Sequence, residues 1–486
     1  MKRSILCALF LLLGGTLLGG LISGQTPPLD IGARLELFVD RHLVERADGV
    51  TFELQHPVDA GEVFRFDQPW EGAFAGYATV IEDGGLYRLY YRGLPLARAD
   101  GSSSETTCLA ESGDGIRWTR PELGLFEVNG NRRNNIILAD QAPFSHNFSP
   151  LLDRRAGVDP GQRFKALAGT KKTGLFAFVS ADGRRWRKLV DRPVITAGDF
   201  DSQNVAFWSE SEQRYVSYFR VFRDRIRRIA RTTSTDFINW SPPVDMGYGD
   251  GPLEHLYTNQ THPYFRAPQI YLGIAARFMP GRQVLTPEQA SSIGVNPGYF
   301  KDLSDSVLIT TRGGDRYDRL FPEALIKPEL GIENWTSRTN YPALNIVPTG
   351  AGEMSFYVQK SYGQPTHRLH RYRLRTDGLV AARAPWRGGE LLTRPLRFTG
   401  ERLVINFATS AAGSIRVEIQ DETGRPLPGY SLSESVEQIG NEIAREVSWK
   451  GGSTVAPLTK PGQDAPRAVR LRFVMKDAEL YSIRFR

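Results

Sequence analysis

One seven-residue phrase recurs along the chain: Ser112-Gly113-Asp114-Gly115-Ile116-Arg117-Trp118, Ser180-Ala181-Asp182-Gly183-Arg184-Arg185-Trp186 and Ser234-Thr235-Asp236-Phe237-Ile238-Asn239-Trp240. A reduced copy stands at Arg312-Gly313-Gly314-Asp315-Arg316-Tyr317 and a fifth at Arg375-Thr376-Asp377-Gly378-Leu379. The aromatic ends of the first four are 68, 54 and 77 residues apart, a period that suits a four-stranded sheet with loops of varied length. Asp-Gly makes the tight turn, and the tryptophan returns between adjacent sheets. A chain built on such a repeat has few choices of fold, because each unit must bury its faces against the next.

A second pattern has the same period. Each turn phrase is preceded by a strand that opens on polar groups and then by a more apolar one, as in Tyr77-Ala78-Thr79-Val80 with Tyr87-Arg88-Leu89-Tyr90-Tyr91, and Ser202-Gln203-Asn204-Val205 with Tyr215-Val216-Ser217-Tyr218-Phe219. Five such units predict an all-β fold, a five-bladed β-propeller, with a pair of β-sandwiches joined by coincidental turns as the alternative. After Trp386 the period is lost. Leu403-Val404-Ile405-Asn406-Phe407, Ile415-Arg416-Val417-Glu418-Ile419 and Val469-Arg470-Leu471-Arg472-Phe473-Val474 alternate with period two, which predicts a small C-terminal antiparallel β-sandwich. The expected division is a signal peptide over 1–24, the propeller over 25–387 and the sandwich over 388–486.

Lys2 and Arg3 precede an apolar run from Ile5 to Ile22, with Ser23-Gly24 as the cleavage edge, so the protein is expected to be secreted or periplasmic. Cys7 lies in that run and Cys108 is then alone, so no intramolecular disulfide is expected. The net charge of +7 falls to +5 without the leader, too small an excess over 486 residues to indicate a nucleic-acid partner. The cation run from Arg223 to Arg231 reads as a solvated or pocket-lining strand. No Gly-rich phosphate loop, serine elbow or Cys/His pair is present.

In a propeller the first strand of each blade lines the central channel, so polar residues at the same phase converge at one mouth. The convergent set is Trp70, Glu71 and Tyr77 for the first blade and His146 and Asn147 for the second. Asp201, Gln203 and Asn204 follow for the third, Glu254, His255, Tyr257 and Asn259 for the fourth, and Arg338, Asn340 and Tyr341 for the fifth. Amides, imidazoles and aromatic rings bind sugars through hydrogen bonds and stacking. Glycoside cleavage needs two carboxyl groups across the scissile bond. Asp201 and Glu254 are the expected pair, with Glu254 as acid and Glu71 as third candidate, while Arg338 would orient substrate or hold a carboxylate or sulfate on it. The expected partner is a carbohydrate, anionic in one reading. No cofactor and no metal site is expected, and any ion held would be a structural one in the channel. A non-catalytic glycan-binding propeller uses the same mouth, and a lyase or metal-assisted hydrolase would be built on His146 and His255. Asp40 is read as a structural ion pair.

With five blades, acids near the start of several and a C-terminal sandwich, the layout resembles the five-bladed glycoside hydrolases of the invertase, levanase and arabinanase type. The turn phrases also resemble the Asp-boxes of sialidases. Leu37-Phe38-Val39-Asp40, Asp201-Ser202-Gln203-Asn204, Glu254-His255-Leu256-Tyr257-Thr258-Asn259-Gln260 and Ala408-Thr409-Ser410-Ala411-Ala412-Gly413-Ser414 resemble phrases of secreted bacterial propeller proteins described as glycosyl-hydrolase-like. The resemblance implies the fold, and by role it makes Asp201 the transition-state-stabilising aspartate and Glu254 the acid. The Asn-Asp-Pro-Asn, Arg-Asp-Pro and Glu-Cys segments of invertase-type enzymes are absent, so the nucleophile has no counterpart unless Glu71 or Asp40 fills it.

Overall fold

The computed structural model describes residues 27–249, 251–459 and 468–486. The expected signal peptide lies outside the described residues. Five sheets follow one another along the chain. The first blade holds Gly76–Asp83, Leu86–Gly93, Thr106–Ser112 and Ile136–Leu138; the second holds Ser149–Leu152, Phe164–Thr170, Gly174–Ser180 and Arg187–Lys188. Val205–Ser209, Arg214–Arg223, Ile226–Ser234 and Val244–Asp245 make the third. His255–Thr258, His262–Tyr264, Ala267–Met279, Leu303–Thr311 and Ala324–Ile326 make the fourth. In the fifth, Tyr341–Pro342, Val347–Gly350, Glu353–Lys360 and Arg368–Arg375 are joined by Val58–Arg65 from the N-terminal side, antiparallel to Arg368–Arg375. That borrowed strand closes the ring of the five-bladed propeller.

The turn phrase links the third strand of a blade to its outer strand, and its chemistry repeats. Ser112 Oγ accepts from Gly115 N at 2.9 Å, while Asp114 Oδ1 accepts from the backbone of Ile116 and Arg117 at 2.9 and 2.8 Å. Ser180 with Asp182 and Ser234 with Asp236 do the same. These backbone donors hold the Asp114 and Asp182 carboxyls below the usual range. The turn needs a left-handed residue, supplied by Gly115 and Gly183 at φ 71° and 74°, and by Phe237 at 66° in the third copy. Each turn also docks on its neighbour: Tyr90 of the first blade donates to Gly183 O at 3.0 Å, and Tyr357 of the fifth donates to Gly115 O at 2.6 Å.

The apolar cores lie between blades. Tyr90, Leu109 and Ile137 meet Phe148, Phe164 and Phe178; Leu167 and Ala177 meet Tyr215 and Phe219; Phe207 and Tyr218 meet Tyr271 and Val307. Packing of this kind between every pair of sheets stabilises the ring without covalent staples. Cys108, a free cysteine, is buried in the first blade.

The C-terminal part is an antiparallel sheet of eight strands, in which Leu403–Gln420 pairs with Arg470–Phe485. The long strand Arg470–Phe485 alternates as the sequence predicts, with Leu471, Phe473 and Met475 buried around Trp449 and Phe407. Its membership differs from the expected division at residue 388. Glu36–Leu37, Val44–Asp48 and Thr51–Leu54, placed with the propeller on sequence, hydrogen-bond into this sheet, as does Val380–Ala384. Strand partners are set by long-range pairing, which a period count along the chain does not register. The fifth turn phrase has been turned to another use. Asp377 is fully buried and accepts from Tyr264 and Arg266 of the fourth blade and from Ser482 and Asn406 of the C-terminal sheet, at 2.7, 2.8, 2.8 and 3.1 Å. Among the described residues no helix is long and apolar enough to cross a membrane.

Candidate active site

The first, third, fourth and fifth blades open onto a cavity of about 90 Å³ at one mouth of the channel, lined by Tyr77, Arg92, Asp100, Asp201, Gln203, Tyr257, Gln260, Tyr299, Arg338, Tyr341, Gln359 and Tyr362 among others. Tyr299 arrives on the insertion between Met279 and Leu303 of the fourth blade, whose Leu285, Val295 and Phe300 pack with Phe74 and Leu94 over the first blade. Four of the residues that open inner strands here, Tyr77, Gln260, Arg338 and Asn340, sit at left-handed φ of 49°, 52°, 58° and 68°. Non-glycine residues are held in that region only where the surrounding structure enforces it, and such strain gathers at functional sites.

The electrostatic centre is His146. Its Nδ1 lies 2.8 Å from Glu105 Oε1 and its Nε2 lies 2.8 Å from Asp201 Oδ1. Burial would neutralise the ring, but the hydrogen bonds it donates to Asp201 and Glu105 outweigh it and raise the imidazole to about 9. The Asp201 carboxylate also meets Arg220 Nη2 at 3.0 Å, and burial is overcome by His146 and Arg220, which hold it well below the usual carboxylate range. Its side chain stays 61% exposed, so it faces the opening. Asp100, 53% exposed, stands on the other side of the ring, 3.8 Å from His146 Nδ1.

Asp100, Glu105 and His146 offer three donor atoms close enough to share a cation. They do not fit one well, because the Arg92 guanidinium already lies 3.4 Å from Asp100 Oδ1 and 3.8 Å from Glu105 Oε1.

Four guanidiniums gather here, Arg92 and Arg338 lining the cavity and Arg220 and Arg227 packed on the Tyr257 ring. Arg92 lies over the Tyr77 ring at 4.7 Å; Arg220 and Arg227 each lie 5.0 Å from the Tyr257 ring centre, and Arg338 lies 5.5 Å from it. Arg220 Nε and Nη1, Arg92 Nε and Arg227 Nε are buried with no hydrogen-bond partner among the described residues. Burial opposes ionisation of the Tyr257 hydroxyl, yet Arg338 and Arg220 together outweigh it and the opposing charge of Asp201, and lower it from the ordinary phenol value. Tyr341, at 5.2 Å ring to ring, is shifted the other way, chiefly by burial, and its hydroxyl has no partner among the described residues.

Of the residues predicted from sequence, Tyr77, Asp201, Gln203, Tyr257, Arg338 and Tyr341 line this cavity and His146 anchors Asp201. Gln203 reaches across the channel to Thr79 Oγ1 at 2.7 Å and accepts from Gln260 at 2.8 Å. Others hold the frame. Asn147 bonds Gly169 and Phe200, Asn204 bonds Phe200 and Ser202, Asn259 caps Thr261, and Asn340 is bound by Lys360. His255 sits beside the Arg227 guanidinium at 3.2 Å, where burial and that charge lower its imidazole.

Two expected catalytic acids lie elsewhere. Glu71 is fully buried, gripped by Arg120 at 2.8 Å on both oxygens and by the Tyr91 hydroxyl, with Trp70 beside it bonded to Asn135 at 2.9 Å. Glu254 is ion-paired by Arg277 at 2.9 Å and Arg319 at 2.7 Å and does not line the cavity. Both carboxylates are held in ion pairs, with Arg277 shared by Asp305 at 2.6 Å and Arg120 by Asp67 at 3.2 Å. Asp40 likewise pairs with Arg312 at 2.7 Å. Sequence reasoning missed Arg92, Asp100, Glu105 and Arg220 because they lie on, or next to, second and third strands. The Arg223 to Arg231 run carried one signal, since Arg227 within it packs on the Tyr257 ring that lines the mouth.

No family model matches the sequence, and no curated protein matches it. The structure is similar to that of an N-acetylgalactosamine deacetylase from F. plautii, solved with blood group B trisaccharide, at TM-score 0.44 and 14% identity over 70% of this chain and 97% of that one. It is similar to a fructofuranosidase from Schwanniomyces occidentalis at 0.38 and 12%, over 88% and 98% of the two chains. An exo-inulinase from Aspergillus awamori is similar at 0.40 and 10%, over 89% and 99%. Likenesses of this strength carry no argument about activity, which rests on the mouth itself.

Proposed function

We propose that the protein is an exported glycoside hydrolase that cleaves an acidic carbohydrate at the mouth of the propeller. The observation that carries this reading is the set of four guanidiniums, several with unpartnered buried N–H groups, around a solvent-facing aspartate that His146 and Arg220 hold ionised. Guanidinium groups bind carboxylate or sulfate bidentately, and the tyrosines beside them offer flat faces to a sugar ring. Asp201 supplies fixed negative charge where the sugar becomes cationic in the transition state, and Asp100, across His146, supplies the second carboxyl. Binding an acidic substituent in this cluster offsets the cost of burying guanidiniums whose N–H groups are only partly paired.

The test is release of reducing sugar from a panel of uronate-containing, sulfated and neutral oligosaccharides. Cleavage of an acidic member that falls about 10³-fold in Asp201→Asn supports the reading. Cleavage of neutral members alone, or binding of acidic members with no turnover, overturns it; the latter outcome is the glycan-binding alternative.

A further inference from the structure

The missing piece of the hydrolase is a nucleophile. Glu71 and Asp40 are locked into buried ion pairs, and Asp201 already balances His146 and Arg220. We propose that Tyr257 fills the position: its hydroxyl is the group that bonds to the anomeric carbon, on a ring packed by the guanidiniums of Arg220, Arg227 and Arg338. The inference rests on the reading of the mouth as a glycosidase site.

Three observations carry it. Tyr257 lies on the inner strand of the fourth blade and lines the cavity, the residue as a whole being 6% exposed. Every element packed against it contributes a named group. The third blade gives Arg220, Arg227 and, from its entry loop, Asp201; the fifth gives Arg338 and Tyr341; the fourth gives Phe278. Among the described residues Asp201 is the anion set against it, with three cations on its ring, so a phenolate here restores charge balance. The neighbouring Tyr341 and Tyr77 are both shifted upward, chiefly by burial, and share the cationic cluster with Tyr257. Finally, an anionic nucleophile embedded among guanidiniums can approach a negatively charged sugar, where an isolated carboxylate would be repelled.

The step balances without a further reagent beyond water. The phenolate oxygen donates its electron pair to the anomeric carbon as the bond from that carbon to the leaving oxygen breaks. The leaving oxygen takes a proton from Asp100. Water, deprotonated by the resulting Asp100 carboxylate, then attacks the anomeric carbon and returns Tyr257 as phenolate, with net retention of configuration.

Ultraviolet titration tests the state of the phenol without a substrate. Wild type minus Tyr257→Phe should show the phenolate band of one tyrosine that ionises below the remaining ones, and Tyr341→Phe should retain that band. Turnover of 4-nitrophenyl uronides and of the acidic oligosaccharide panel should fall by about 10³-fold or more in Tyr257→Phe, with the sugar still bound. A difference spectrum in which the missing tyrosine titrates with the others, or a Tyr257→Phe enzyme within tenfold of wild type, overturns the inference. If that happens while Asp201→Asn is inactive, the hydrolase reading stands and only the nucleophile is wrong; if Asp201→Asn is active too, both fall.

Discussion

Substituting His146 by glutamine should convert a pH-dependent part of the stability into a pH-independent one. The imidazole has both nitrogens engaged by carboxylates, Glu105 within the protein and Asp201 at the opening, and is raised from 6.5 to about 9. A raised cationic group stabilises the fold fully below its unfolded value and loses that contribution as pH climbs through the folded one. The window is therefore pH 6.5 to about 9. At about 1.36 kcal/mol per pKa unit the whole shift is worth roughly 3 kcal/mol. The exposed side of Asp201 is screened by solvent, which brings the expected value to about 2 kcal/mol. The neutral ring can donate to only one of its two carboxylates, so the loss has a structural cause as well as an electrostatic one. Urea unfolding of wild type and His146→Gln, followed by tryptophan fluorescence across this window, isolates the contribution, since every other titrating group is common to both. Wild type should exceed the variant most at the acid end, and the gap should narrow by about 2 kcal/mol toward the alkaline end. A gap constant to within about 0.5 kcal/mol, or one that widens with pH, would refute the assignment of His146 as a buried cation.

Removing Arg120 as Arg120→Met strands the Glu71 carboxylate in the interior and should cost about 3–5 kcal/mol by chemical denaturation, while Glu71→Gln in the same background recovers part of it; loss of sugar release by the folded Glu71→Gln single variant would return Glu71 to the catalytic set. At Gly183 an added methyl would lie 2.4 Å from the Tyr90 hydroxyl at a left-handed φ of 74°. Gly183→Ala should lower stability by about 1–3 kcal/mol, whereas Gly113→Ala, with open space around it, should stay within about 0.5; equal effects would show that the turn tolerates the methyl.

The repeat was legible because its cause is local. Serine and aspartate side chains satisfy the backbone of their own turn, so the phrase is written into adjacent residues, as at Ser180 and Asp182. The inner-strand rule likewise led to Tyr77, Asp201, Tyr257, Arg338 and Tyr341. It failed for Glu71 and Glu254 because phase along a strand does not say which arginine waits opposite, and Arg120 and Arg319 are far away in sequence. Arg220 and Arg92 escaped notice for a related reason. Each rises from a second strand to reach the channel, a geometry set by blade tilt rather than by residue pattern. Asp377 shows the limit most plainly, since the same turn phrase that stabilises three blades serves here to join two parts of the protein.

The N-terminal strands have a temporal consequence. Val58–Arg65 completes a blade whose other strands end at Arg375, and Glu36–Leu37 pairs with Ile483 and Ser482. During synthesis the first strands made must wait for later ones: the ring cannot close until Arg368–Arg375 has emerged, and Glu36–Leu37 cannot pair until Ser482 and Ile483 have. Until that moment the borrowed strand presents open edges on both sides, a hazard for association with other chains.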